Sequence, residues 1–180
     1  MSTEIHRPSA EVAKKRIGDN ESIQLYIGPS VVGLEEMLPT IPQQEPTLFF
    51  LDAHFPGEFY KDFKGYDVTG EISIQLPLEQ ELKIIKRLRP DSPDVIIVDD
   101  LRLYEDGSYE NGNLPPGYAN IPSDFRHLSF CQEIFPERLL SRSMQDEGYL
   151  FIAKGPITGL KPLGIGSIAK RQFLRLIKKL

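Results

Sequence analysis

The chain predicts an α/β domain on a mostly parallel sheet, and three observations carry that expectation. Two apolar runs, Thr47-Leu-Phe-Phe-Leu-Asp52-Ala-His54 and Val95-Ile-Ile-Val-Asp99-Asp100, each end in acid. Unbroken aliphatic and aromatic runs of this length read as strands buried on both faces. Between them, Leu78, Leu82, Ile84, Ile85 and Leu88 recur at helical spacing. Strand, helix, strand is a parallel unit, so the acidic ends of both strands fall on one carboxyl edge. That edge is where open α/β sheets bind ligands.

The other elements follow in order. Residues 9–16 are good helix formers, with Pro8 and Ser9 at the start and Gly18 just past the end. Residues 23–27 alternate as a strand and stop at Gly28-Pro29, and 31–38 form a short helix closed by Pro39 and Pro42. Strand 47–52 follows, then an irregular insertion at 55–77, within which 68–76 is expected to pair as a local hairpin. Helix 78–88 ends before Pro90 and Pro93, and strand 95–99 comes next. Residues 104–124 read as a long loop of the kind that forms lids or binding loops, with Tyr104, Tyr109 and Tyr118 available to line a substrate. Segments 125–135 and 137–143 read as helices, and 149–153 as a further strand. The tail at 167–180, with Lys170, Arg171, Arg175, Lys178 and Lys179, reads as a basic amphipathic helix. The expected organisation is one domain at 1–160 followed by that helix within 161–180.

Composition narrows the function. Hydrophobic content of 40% and charged content of 26% are ordinary for a globular domain. A net charge of −5 argues against a general nucleic-acid binder. There is no apolar run long enough to span a bilayer, and no signal-peptide core is visible, so no membrane partner and a cytoplasmic location are expected. The single Cys131 excludes an intramolecular disulfide and a cysteine metal cluster. Its apolar neighbours, Leu128, Phe130, Ile134 and Phe135, make it a core residue rather than a nucleophile.

The order of pieces resembles class I S-adenosylmethionine-dependent methyltransferases, and among them the metal-dependent, macrocin-type O-methyltransferases. Phe49-Phe50-Leu51-Asp52-Ala53-His54 is similar to the strand-four motif of that group, Leu78-Glu79-Gln80-Glu81-Leu82 to the helix after it, and Val95 through Asp100 to strand five with its acidic pair. Gly28-Pro29-Ser30 stands where the group tends to have Gly-Asp-Ser, and Thr3-Glu4-Ile5-His6 is similar to the end of strand two. The resemblance covers roughly residues 3 to 155. It implies a Rossmann-like methyltransferase fold that is N-terminally incomplete, since the first strand and its glycine-rich loop precede this point in the family. The pair Gly164 and Gly166 stands in the wrong place to supply that loop.

The resemblance also implies roles. Glu4 is expected to hold the ribose hydroxyls of S-adenosylmethionine, with Gly28, Ser30 and Asp52 as further cofactor contacts. Asp52, Asp99 and Asp100 are expected to hold one divalent ion, and their hard oxygens suit Mg²⁺ or Ca²⁺. Such an ion lowers the pKa of a substrate hydroxyl on a small hydroxylated acceptor. His54, beside Asp52, has the ordinary pKa of a general base and completes the catalytic pair. Each residue also has a structural alternative. The acids can cap helices or bind loop amides, His54 can hold loop backbone, Glu4 can be a surface acid, and Ser30 can be the N-cap of helix 31–38.

Two other readings fail on context. The run Val95 to Asp100 resembles a Walker B strand, but no Gly-x-x-x-x-Gly-Lys-Ser/Thr precedes it. It also resembles the first strand of a receiver domain, but no later apolar strand ends in a phosphorylatable Asp. Two hypotheses remain: a metal-assisted O-methyltransferase, incomplete or completed by another chain, and a catalytically inactive relative serving as a binding or assembly module. A truncated sheet exposes a strand edge, and exposed edges pair with other chains. A homo-oligomer through that edge is therefore expected.

Overall fold

The computed structural model describes residues 1–52, 72–114 and 121–157. Strand β1 (Ser2–Glu4) leads into helix α1 (Arg7–Ile17), then strand β2 (Leu25–Ile27) and helix α2 (Ser30–Met37). A 3-10 turn at Leu38–Thr40 precedes strand β3 (Leu48–Leu51). Helices α3 (Ile72–Gln75) and α4 (Leu78–Leu88) come before strand β4 (Val95–Val98). Helix α5 (Ser129–Ile134) and the hairpin of β5 (Leu139–Ser143) and β6 (Tyr149–Ala153) complete the described elements.

These strands form two sheets. β1 pairs with β2 in parallel, and a separate sheet runs in the order β3-β4-β6-β5. Within it β3 and β4 are parallel, while β6 is antiparallel to both β4 and β5. The chain is therefore mixed α/β, and the expectation of a mostly parallel sheet is corrected. The reversal comes from β6, which opposes both of its neighbours, and the residues at 137–143, read above as a helix, supply the outer partner β5. Those residues instead pair in register with β6, Leu139 opposite Ala153 and Ser143 opposite Tyr149. The turn between the strands uses positive φ at Asp146 (54°) and Gly148 (89°), conformations that favour a turn over a continuing helix.

Helices α4 and α5 cover one face of the larger sheet. Phe49, Leu51, Ile96, Val98, Leu150 and Ile152 point into that layer and meet Leu78, Leu82, Ile85, Phe130, Cys131 and Phe135 in a common core. The amphipathic spacing of 78–88 thus buries its apolar stripe as expected. Burial on both strand faces is corrected, however. β3 alternates, with Leu48 at 64% and Phe50 at 55% exposed, because the covering helices lie on the opposite face.

Other corrections are local. Residues 72–75 are helical rather than part of a hairpin, and the helix expected at 125–135 shortens to α5 after a 3-10 turn at Ser123–Phe125. Ser30 is not a cap: it is the first residue of α2, whose N-cap is Pro29, with no side-chain hydrogen bond. The capping side chain instead belongs to His6, whose Nδ1 accepts from Ser9 N–H at the start of α1. His54, Tyr118, the Gly164/Gly166 pair and the basic tail within 161–180 lie outside the described residues.

Candidate functional site

A strand carries its terminal acid to the sheet edge, and β3 and β4 run parallel, so Asp52 and Asp99 share that edge as expected. Asp99 N–H donates to Leu51 C=O at 3.0 Å, which extends the ladder one step past β4. Asp99 Oδ1 then accepts from Asp100 N–H at 2.9 Å. Asp100 sits in the left-handed region, with φ 49°, and its C=O accepts from Leu103 N–H to open the 3-10 turn at Leu101–Leu103. The acidic pair after β4 therefore shapes its own turn. The carboxylate of Asp99 thus holds the amide of the next residue.

Hard oxygen donors of this kind suit a divalent cation. Among the described residues, which do not include His54, no group of three or more His, Cys, Asp or Glu is arranged to hold an ion. Asp99 Oδ1 is engaged by Asp100 N–H, and no chemical step is routed through an ion.

A different set does converge. Glu4, Ser30 and Asp52 come from three separate elements and line one cleft of about 470 Å³ between β1 and β3. Glu4 ends β1, Asp52 follows β3, and Ser30 starts the helix that follows β2. Leu34, Leu38 and Ile41 give the cleft an apolar wall, and Met1, Thr3, Leu48 and Phe50 line its strand side. Glu4 Oε1 accepts from His6 N–H at 2.7 Å, which holds that carboxylate at the turn into α1. Gly28 is not among the lining residues. Its glycine identity has a packing cause: at φ 155°, an added Cβ would stand 2.7 Å from the ring of Tyr26.

Glu81 was missed as a site residue. It is only 2% exposed and lines the cleft from α4. The signal was present, since Leu78, Glu81, Leu82 and Ile85 mark one helical face, and a carboxylate on an apolar face is rarely buried without purpose. Burial and the Glu81 charge together hold the Tyr104 hydroxyl well above its ordinary pKa. Tyr104 is thus packed beneath this edge rather than displayed on a lid, with 2% of its surface exposed. Tyr109 is likewise buried, its pKa pushed up to about 12, first by burial and then by Glu105.

No family model matches the sequence, and no curated protein or solved structure matches it significantly. No described helix is long and apolar enough to cross a membrane.

Proposed function

We propose that this chain is a methyltransferase-like domain with a Rossmann-like strand-helix alternation, and that the cleft between β1 and β3 takes S-adenosylmethionine. The observation that supports this reading is the convergence of Glu4, Ser30 and Asp52 on one cleft. The resemblance names those three as cofactor contacts, yet they lie far apart in sequence. Two carboxylates at the rim suit the cationic sulfonium and the hydroxyls of such a ligand. The activity in this reading is O-methyl transfer to a small hydroxylated acceptor, with His54 as the base that deprotonates it. Copies of the chain associate through the β3 edge, which light scattering across a wide concentration range reads directly.

The deciding experiment is calorimetric titration of S-adenosylmethionine and of its demethylated product, with and without Mg²⁺. Micromolar binding that disappears in Glu4→Ala supports the reading, and dependence on Mg²⁺ would restore the metal. Absence of heat under every condition overturns it. The inactive binding or assembly module would then take its place. One feature favours that second reading: Asp99 Oδ1 is engaged with backbone.

A further inference from the structure

We infer that Asn111 is a site of spontaneous deamidation, and that the hydrogen bonds of its own turn set the rate. The inference is independent of the cofactor reading, because it uses neither the cleft nor the acidic edge.

Asn-Gly occurs once in the chain, at Asn111-Gly112, and both residues are exposed. Glycine at the second place leaves its amide nitrogen reachable, since it has no side chain to block the approach. Gly112 has φ 80°, with open space where a Cβ would stand, so there is room for a ring to close. The chemistry needs only water. Gly112 N loses its proton and attacks Asn111 Cγ. The new N–C bond closes a succinimide, and the Cγ–Nδ2 bond breaks to release ammonia. Water then opens the ring at either carbonyl, leaving aspartate or isoaspartate at 111. Nothing is oxidised or reduced.

The turn opposes both halves of that attack. Gly112 N–H donates to Tyr109 C=O at 3.0 Å, which withholds the nucleophile. Asn111 Nδ2 donates to Glu147 Oε1 at 2.8 Å, which holds the carboxamide against the β5–β6 connection. The backbone is fastened to the same connection: Glu110 N–H donates to Met144 C=O and Asn111 N–H to Asp146 C=O, both at 2.9 Å. Ring closure therefore waits on release of the turn, and each bond that must break first slows it.

The product then works against the turn that delayed it. A donor facing Glu147 becomes a carboxylate, beside Glu110 and Asp146, whose N–H already donates to Glu110 Oε2 at 3.2 Å. Like charges this close repel. Deamidation is thus a one-way release of residues 109–112 from the β5–β6 connection.

The test incubates the full chain in warm, mildly alkaline buffer and follows each asparagine by peptide mass spectrometry. Asn20 and Asn113, followed by Glu21 and Leu114, are the internal references. Conversion is expected at Asn111 and should all but vanish in Gly112→Ala. Unfolding in denaturant should speed it by about twofold to tenfold for each hydrogen bond released. Glu147→Ala should speed the folded chain by about one such factor, whereas Glu147→Gln, which keeps an acceptor, should not. The denaturant comparison needs no variant, so the test stands if one misfolds. Asn111→Asp should melt about 2–4 °C below Asn111→Ala, which loses the bond without gaining the charge. Equal rates at Asn111 and Asn113, no speeding in denaturant, or an unchanged or slower reaction in Glu147→Ala overturns the proposal. Equal melting of Asn111→Asp and Asn111→Ala overturns the release.

Discussion

Arg89 and Asp94 form a bidentate ion pair with both side chains fully buried, Nε to Oδ2 at 2.7 Å and Nη2 to Oδ1 at 2.9 Å. The pair ties together the amino ends of three strands. Arg89 also donates to the carbonyls of Ile41, Pro42 and Glu45 ahead of β3, and Asp94 Oδ1 accepts from Thr47 N–H at 3.0 Å. Arg138, just before β5, donates to the carbonyls of Asp94 and Ser92 and lies over the Phe135 ring. Breaking one half of such a pair leaves a buried charge, which costs about 3–5 kcal/mol. Asp94→Asn and Arg89→Met should each lower the urea midpoint by that equivalent. The double variant Arg89→Met/Asp94→Leu should cost less than the sum, and chemical denaturation of all three checks the coupling.

The same pair sets an acid limit. Burial pushes the Asp94 carboxyl up, but hydrogen bonds from Arg89, Ser92 and Thr47 outweigh it and hold the group below its usual value. A carboxylate depressed in the folded state contributes stability above its unfolded pKa of about 3.9, and that stability is lost as pH falls through the folded value. Unfolding free energy should therefore drop steeply below about pH 4 in the parent. In Asp94→Asn it should start lower and fall less over the same window, as denaturation at matched ionic strength would show.

Legibility followed the local signals. Helix α4 was read to the residue because five apolar positions repeat at helical spacing, and β6 because Tyr149 to Ala153 is an unbroken β-favouring run. β5 was misread because Leu139-Leu-Ser-Arg-Ser has no strand alternation of its own. Its conformation comes from pairing with β6, which a local reading cannot see. The acidic strand ends at Asp52 and Asp99 were legible from the apolar runs before them, whereas Glu4 was set beside Asp52 only by the family resemblance. Glu81 was hidden in a helix read for its apolar positions alone. The Arg89–Asp94 pair was hidden because its partners come from turns near Pro42 and Pro93, where spacing carries no period.

Two glycines separate backbone strain from side-chain collision. Gly148 has φ 89°, and an added Cβ would stand 2.4 Å from the Tyr109 ring and 2.9 Å from Leu101 Cβ. Gly112 has a similar φ of 80° but open space around it. Gly112→Ala should cost about 1 kcal/mol, the strain of the left-handed region alone. Gly148→Ala adds displacement of a buried aromatic ring, so its loss should exceed that by roughly 1–3 kcal/mol. Thermal melts of the two variants decide it, and equal losses would mean that the ring at Tyr109 moves freely.

Cys131 offers a probe of the core beneath the acidic edge. It is fully buried in the layer between α5 and the sheet, and burial, ahead of all charges nearby, pushes its thiol pKa up to about 12. The thiolate is the reactive species, so the native thiol is silent both through its low thiolate fraction and through lack of access. Labelling by a disulfide reagent at pH 8 should therefore require opening of the α5 layer. The rate should rise with urea in step with unfolding and should quicken in Asp94→Asn, whose pair anchors the loop that leads into β4. Rapid labelling of the native parent, independent of urea, would place Cys131 outside the core and sink this account.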